Sequence, residues 1–276
     1  MARSTWWSEW PFSRVDDDLT ILDIVGSGTV DFKLAGLLWL MMEHRASALV
    51  AAGPIWAGKT TILNALLDFL PPGIKQVSLR GYDEDFKFSG NYIPEKTYLV
   101  SEEISNHHYE YLWGYQVAKA FEMIPRGYAF GSTMHARDIR EVAYLLHGIL
   151  RVPLKLIAGL GVVVTLQAMN GRTIYDEPIR RVDTVSILSL GDNGLVAQTL
   201  AAREITDEEF IYPSEKALHK ALSEKFAVAY DDVFSEIARR EAFLRELPDK
   251  GISSRDEVRQ AILDYYRSHL DGYGSQ

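Results

Sequence analysis

The sequence predicts an α/β fold: a twisted, mainly parallel sheet flanked by helices, with a helical C-terminal extension. Three observations lead there. Ala48-Leu49-Val50-Ala51-Ala52 is a short apolar run suited to a buried parallel strand, and it leads into a glycine-bearing loop and then a helical pattern. Further short apolar runs, Lys75 to Leu79, Thr97 to Val100, Tyr128 to Met134 and Val162 to Leu166, follow at spacings that leave room for crossover segments. After residue 213 the pattern changes to charged amphipathic helices.

The loop after the first strand is the centre of the chain. Gly53-Pro54-Ile55-Trp56-Ala57-Gly58-Lys59-Thr60 fits the pattern glycine, four residues, glycine-lysine-threonine, with Thr61 next. In such a loop the backbone N–H groups turn inward around a β-phosphate, the lysine neutralises the β/γ oxygens, and the terminal hydroxyl ligates Mg²⁺. The helix expected from Thr60 to Leu70, stopped by Pro71-Pro72, adds its positive dipole end to the anion site. Strand, loop and helix in this order point to ATP and Mg²⁺ as cofactors and to nucleotide at the carboxyl ends of the strands. Trp56 stands where small residues are usual, either as a stacking or packing residue or as the mark of a weakened loop.

Composition sets outer limits. The chain has 276 residues, 47% hydrophobic and 24% charged, enough to bury a substantial core as one large or two modest domains. It has no cysteine, which excludes disulfides and thiolate metal sites and fits a reducing compartment. A net charge of −9 without a basic face argues against broad nucleic-acid binding. The N-terminus lacks signal-peptide order, and the longest apolar stretch, Leu156 to Leu166, is broken by two glycines. The expectation is a cytoplasmic protein, able to dock on a membrane partner.

In chain order, Trp6, Trp7, Trp10 and Phe12 read as aromatics packed onto the domain, with partner anchoring as the alternative. Asp16-Asp17-Asp18 reads as a solvated turn or helix start. Phe32 to His44 is apolar on nearly every face, a buried helix leading into the first strand. After the second strand, Arg80 to Phe86 is a carboxylate-rich turn. Thr97-Tyr98-Leu99-Val100 then runs into Ser101-Glu102-Glu103, the arrangement that holds the Mg²⁺ shell and positions an attacking water. His107 and His108 are adjacent and point apart, so the pair is not expected to share a metal ion. Tyr109 to Met123 reads as an aromatic-rich helix.

His135 ends the Tyr128 to Met134 strand, where a histidine beside a phosphate site donates to a γ-phosphate or senses its loss. The bland alternative is an exposed loop histidine. Ala136-Arg137-Asp138 opens the next helix, and Val152 to Leu160 reads as helical. Ile174 to Leu200, with turns at Asp176-Glu177-Pro178 and Gly191-Asp192-Asn193-Gly194, reads as antiparallel strands. Leu218 to Ala227, Asp231 to Leu247 and Ser254 to His269 read as helices, the last opened by a Ser254/Glu257 capping box. The expected organisation is a lead-in segment over 1–45, a nucleotide-binding core over 46–200 and a helical region over 201–276.

With these residues in view, the chain resembles the secretion-type ATPases, the RecA-like P-loop NTPases that drive type II secretion, type IV pili and the archaeal motility filament. Gly53 to Leu67 resembles their phosphate loop and helix. Gly127 to Asp138, continuing to Arg151-Val152-Pro153, resembles their histidine box. Glu236 to Asp271, including Arg239-Arg240, Leu244, Gly251-Ile252, Glu257-Val258 and Tyr265-Tyr266-Arg267, is similar to the C-terminal helices of the archaeal-type branch.

The resemblance implies an ATP-driven motor subunit, a homo-oligomer in a hexameric ring, working against a membrane platform protein. Lys59 and Thr60 would hold phosphate and Mg²⁺. Glu102 would be the Walker B glutamate and Mg²⁺ partner, and His135 the histidine-box residue. Glu103 competes for the glutamate role, because Ser101 replaces the glycine usual before it.

The chain also departs from the family. Only about fifty residues precede the phosphate loop, where the family carries a large domain. Arg80-Gly81 falls on the family's acidic pair, with the acids displaced to Asp83, Glu84 and Asp85. The next connection is short and lacks the arginine-bearing helix. These departures support a rival expectation, a non-hydrolysing regulatory or structural subunit partnering a complete motor. A third, a small-molecule kinase, lacks an evident second pocket and arginine lid.

Overall fold

A computed structural model describes residues 18–53, 57–169, 178–204, 209–226 and 233–269. The N-terminal aromatics, Asp16-Asp17, the loop residues Pro54, Ile55 and Trp56, and Asp176-Glu177 lie outside the described residues.

Eight strands form one sheet: β1 (Ala48–Ala52), β2 (Lys75–Ser78), β3 (Thr97–Ile104), β4 (Ala129–His135), β5 (Val162–Met169), β6 (Ile179–Gly191), β7 (Gly194–Arg203) and β8 (Phe210–Ile211). Their order is β2-β3-β4-β1-β5-β6-β7-β8. The first five are parallel to their neighbours, and β6, β7 and β8 extend the sheet as antiparallel strands. The order places β4 between β1, which carries the glycine loop, and β3, which carries the acids. The carboxyl ends of β1, β3 and β4 therefore open on one edge, as the strand-loop-helix pattern predicts.

Helices cover both faces. On one lie α1 (Ile21–Gly26), α2 (Phe32–Glu43), α3 (Lys59–Asp68), α7 (Glu215–Phe226), α8 (Val233–Asp249) and α9 (Arg255–His269). On the other lie α4 (Tyr115–Met123), α5 (Ile139–Ala143, continuing as a π-helical turn over Tyr144–Ile149) and α6 (Leu154–Ile157). β1 shows why a run with no polar alternation is required: Ala48, Val50 and Ala52 face the first core, while Leu49 and Ala51 face the second.

The C-terminal helices are joined to the glycine-loop helix through polar contacts inside the apolar core. The Trp39 indole of α2 stacks on Phe69 and donates to the Tyr266 hydroxyl at 2.9 Å, which in turn donates to the Phe69 carbonyl at 2.7 Å. Arg255 grips Asp68, the last residue of α3, at 2.8 Å. Arg240 of α8 is fully buried, pairs with Glu43 of α2 and with Glu236, and lies over the Trp39 and Tyr265 rings. Gly36 is the point of closest approach, since a Cβ there would sit 2.8 Å from the Ile237 carbonyl. The Ser254/Glu257 capping box forms as expected.

Three expected elements differ. The helix expected from Tyr109 begins only at Tyr115: Gly114 takes a φ of 65°, and Leu112 instead pairs back to Glu103, its N–H donating to the Glu103 carbonyl at 2.9 Å. The apolar strand expected from Thr97 to Val100, running into Ser101-Glu102-Glu103, extends to Ile104, paired there with Met134 of β4. The helix expected over Val152 to Leu160 is one turn, Leu154–Ile157, preceded by Arg151 at φ 58° and by Pro153. Among the described residues no helix is long and apolar enough to cross a membrane.

Candidate functional site

The site lies at the carboxyl edge of β1, β3 and β4. The loop after β1 returns to helix at Gly58, whose φ of 84° only glycine adopts without strain. Lys59 is the first residue of α3, and the Ile62 N–H closes the first turn onto the Gly58 carbonyl. Ala57 is buried, and Thr60 and Thr61 are half-buried in that first turn. The positive N-terminal end of this ten-residue helix therefore lies at Gly58.

Lys59 is 7% exposed, unusual for a lysine, and it turns toward β4. Its Nζ lies 3.4 Å from both ring nitrogens of His135. Burial pushes the ammonium below its ordinary pKa, and the nearby Glu103 carboxylate opposes that shift. His135 sits where its strand ends, paired across the sheet with Ala52. Its Nδ1 contacts the Gly53 carbonyl at 3.4 Å, and its Nε2 faces the Glu103 carboxylate at 3.5 Å.

An irregularity in β3 decides which glutamate arrives there. Val100 pairs with Gly131 but Glu103 pairs with Thr133, so three steps on β3 match two on β4. The extra residue is a β-bulge, which re-aims the side chains after it. Glu103 is turned to His135 and Lys59. Glu102 lies beside it, with its carbonyl held by the Thr133 hydroxyl at 2.7 Å, and both carboxylates act on Tyr111, whose pKa is raised first by burial. The structure therefore brings Lys59, His135, Glu103 and Gly53 together, with Glu102 adjacent.

Spacing alone missed three residues. His107 is held by a turn in which its N–H donates to the Ser105 hydroxyl at 3.1 Å, and its ring lies 5.9 Å from that of His135. His108 diverges and contacts Glu110 at 3.1 Å, as the adjacency argument requires. The other two are arginines. A Cβ on Gly53 would lie 2.7 Å from Arg137 Cγ, and a Cβ on Gly58 would lie 3.1 Å from Arg180 Cδ. Arg137 comes from the turn after β4 and pairs with Glu141 at 2.9 Å; Arg180 comes from the start of β6. The nearest sequence signal was position: Arg137 follows His135 by two, and Arg180-Arg181 opens a strand.

The displaced acids have another task. Glu84 is buried and accepts from the Arg80 and Phe86 N–H groups at 2.9 and 2.7 Å, while Asp85 pairs with Arg80 at 2.7 Å. The turn they fold packs on the 105–112 loop, Tyr82 N–H donating to the Tyr109 carbonyl at 2.9 Å. They brace the loop that carries His107.

A helix N-terminus, a buried lysine, a histidine and a carboxylate gathered on one edge are groups able to bind a phosphate chain and orient a water beside it. The oxygen donors suit Mg²⁺: the Thr60 hydroxyl with Glu102 or Glu103 would hold it.

No protein-family model matches the chain. The uncharacterized protein MJ1287 of Methanocaldococcus jannaschii is 23% identical over 278 residues, covering 90% of this chain and 98% of that protein. MJ0900 of the same organism, also uncharacterized, is 24% identical over 288 residues, covering 93% of this chain and 50% of that protein, so the chain spans half its length. Among solved structures, the VirB11 ATPase of the Brucella suis type IV secretion system, in complex with sulphate, aligns with a TM-score of 0.38 and 14% identity over 66% of this chain and 64% of that one.

Proposed function

We propose that the chain binds ATP at the glycine loop and hydrolyses it as the motor subunit of an assembly or transport apparatus, working as a homo-oligomer docked on a membrane platform protein. The observation that carries the reading is the convergence of Lys59, His135 and Glu103 beside Gly53, from the start of α3 and the ends of β4 and β3. The histidine-box and C-terminal resemblances support the motor class.

In this reading Gly58 and the first turn of α3 receive the phosphates through backbone N–H groups. Lys59 leaves His135 to neutralise the β/γ oxygens. Glu103, with Glu102 as its neighbour, accepts a hydrogen bond from the attacking water and orients it in line. His135, bonded to the Gly53 carbonyl, registers the γ-phosphate through the position of Lys59. Mg²⁺, when bound, neutralises charge that develops on the leaving oxygens. Arg180 and Arg137 supply further positive charge at the loop, the role left open by the missing arginine helix.

A second reading has its own observation. Two of the displaced acids, Glu84 and Asp85, are engaged by Arg80 and the turn around them, which favours a nucleotide-binding regulatory subunit without turnover. Binding and turnover measured together separate the two: the motor loses both with Lys59→Ala, whereas a regulatory subunit binds without turnover in the parent chain.

A further inference from the structure

We infer that Glu103, His107 and His135 form a binding site for one divalent transition ion of the zinc class. Their ligand atoms lie within 4.8 Å of one another, drawn from the end of β3, the loop after it and the end of β4. The His135 Nε2 to Glu103 oxygen distance is 3.5 Å, close to the ~3.4 Å between neighbouring ligands of a tetrahedral ion bound at about 2.1 Å. His107 is on an exposed loop turn, its ring beside that of His135.

The hydrogen-bond geometry supplies a second, separate reason. His135 Nδ1 lies 3.4 Å from the Gly53 carbonyl, so the ring is oriented from that side by the backbone. On the other side its Nε2 faces the Glu103 carboxylate at 3.5 Å. The ring nitrogen and the carboxylate thus face each other, with His107 close by, across a gap that one bound cation would bridge. An imidazole whose far N–H donates to a backbone carbonyl is also the usual way a metal-binding histidine is oriented.

Lys59 does not fill this role. Its Nζ lies at the same 3.4 Å from both ring nitrogens and is not drawn to Nε2 alone. Two imidazoles and one carboxylate select zinc, cobalt or manganese over magnesium, which prefers oxygen alone. The inference stands on these three ligands and does not require the nucleotide reading.

The test uses the whole chain, stripped with a chelator and titrated without nucleotide, with Zn²⁺ by calorimetry and with Co²⁺ by visible absorption. The expected result is one ion per chain and a four-coordinate cobalt spectrum. His107→Ala and Glu103→Gln should each weaken binding by at least the ~10–100-fold that even outer-shell partners carry. His108→Ala, facing Glu110, should leave the affinity unchanged. Lys59→Met should tighten the metal by removing a neighbouring positive charge while weakening ATP, so the metal site and the nucleotide reading fail separately. Melting curves of each variant establish that it is folded. Absence of a stoichiometric ion in the parent chain, or an affinity unmoved by both His107→Ala and Glu103→Gln, overturns the inference.

Discussion

Removal of the Arg240 guanidinium is the sharpest test of how the C-terminal helices are tied to the glycine-loop core. The residue is fully buried, donates to the Glu236 carbonyl at 2.9 Å and to its carboxylate at 2.7 Å, and pairs with Glu43. Arg240→Met keeps most of the volume and the contact with Trp39 but strips Glu43 of its partner. Burial already holds the Glu43 carboxyl above its ordinary pKa, against the pull of Arg240. Losing that pull drives it further up until it takes a proton, which limits the loss.

Deleting one partner of a buried pair costs about 3–5 kcal/mol, and protonation of Glu43 sets the expectation at about 3 kcal/mol. For a chain of this size that is a fall of roughly 6–12 °C in melting temperature. Equilibrium urea unfolding at pH 7 measures it. The double change Arg240→Met with Glu43→Gln should recover more than about 1 kcal/mol of the loss, because no buried charge is then left unpaired. A loss below about 1 kcal/mol in the single variant, or no recovery in the double, would refute the reasoning.

Two further outcomes follow from the same structure. His44 is half-buried near Arg240, and burial first, then Arg240, lowers its pKa from 6.5 to about 4. A histidine with a depressed folded pKa binds fewer protons folded than unfolded, so its contribution is fully present above pH 6.5 and lost as pH falls toward 4. The integrated effect is at most about 3 kcal/mol, and His44→Phe, retaining the stack on Phe226, should flatten the stability profile over that window. At the loop, Arg180→Ala should weaken ATP by roughly ten- to a hundredfold if it meets phosphate through a charge-assisted bond of about 1.5–3 kcal/mol, and ADP less. Equal affinities in parent and variant would remove Arg180 from the site.

Much of the fold was legible because local chemistry and global placement agree. β1 needs two buried faces, and only a run such as Ala48 to Ala52 supplies them. Gly58 needs a positive φ, and Ser254 with Glu257 signals a helix start. Legibility failed where distant backbone decided the outcome. Tyr109 to Gly114 has helical spacing, yet the Glu103 carbonyl captures the Leu112 N–H, a bond that no local pattern announces. The choice between Glu102 and Glu103 turns on a bulge, which depends on register with β4. His107 was correctly separated from His108, but its meeting with His135 needs β3 and β4 side by side. Arg180 reaches Gly58 only because β6 lies two strands from β1, an order set by the whole sheet.

The central claim is that Lys59, His135 and Glu103 form a phosphate-handling site. It is tested most directly by Mg²⁺-ATP binding and turnover in one preparation of the parent chain, Lys59→Ala, Glu103→Gln and Glu102→Gln. The account predicts binding and turnover in the parent, loss of both in Lys59→Ala, and binding without turnover in Glu103→Gln, with Glu102→Gln the milder of the two glutamate variants. A parent chain that binds no ATP, or a Lys59→Ala variant that binds it as well as the parent, would contradict it.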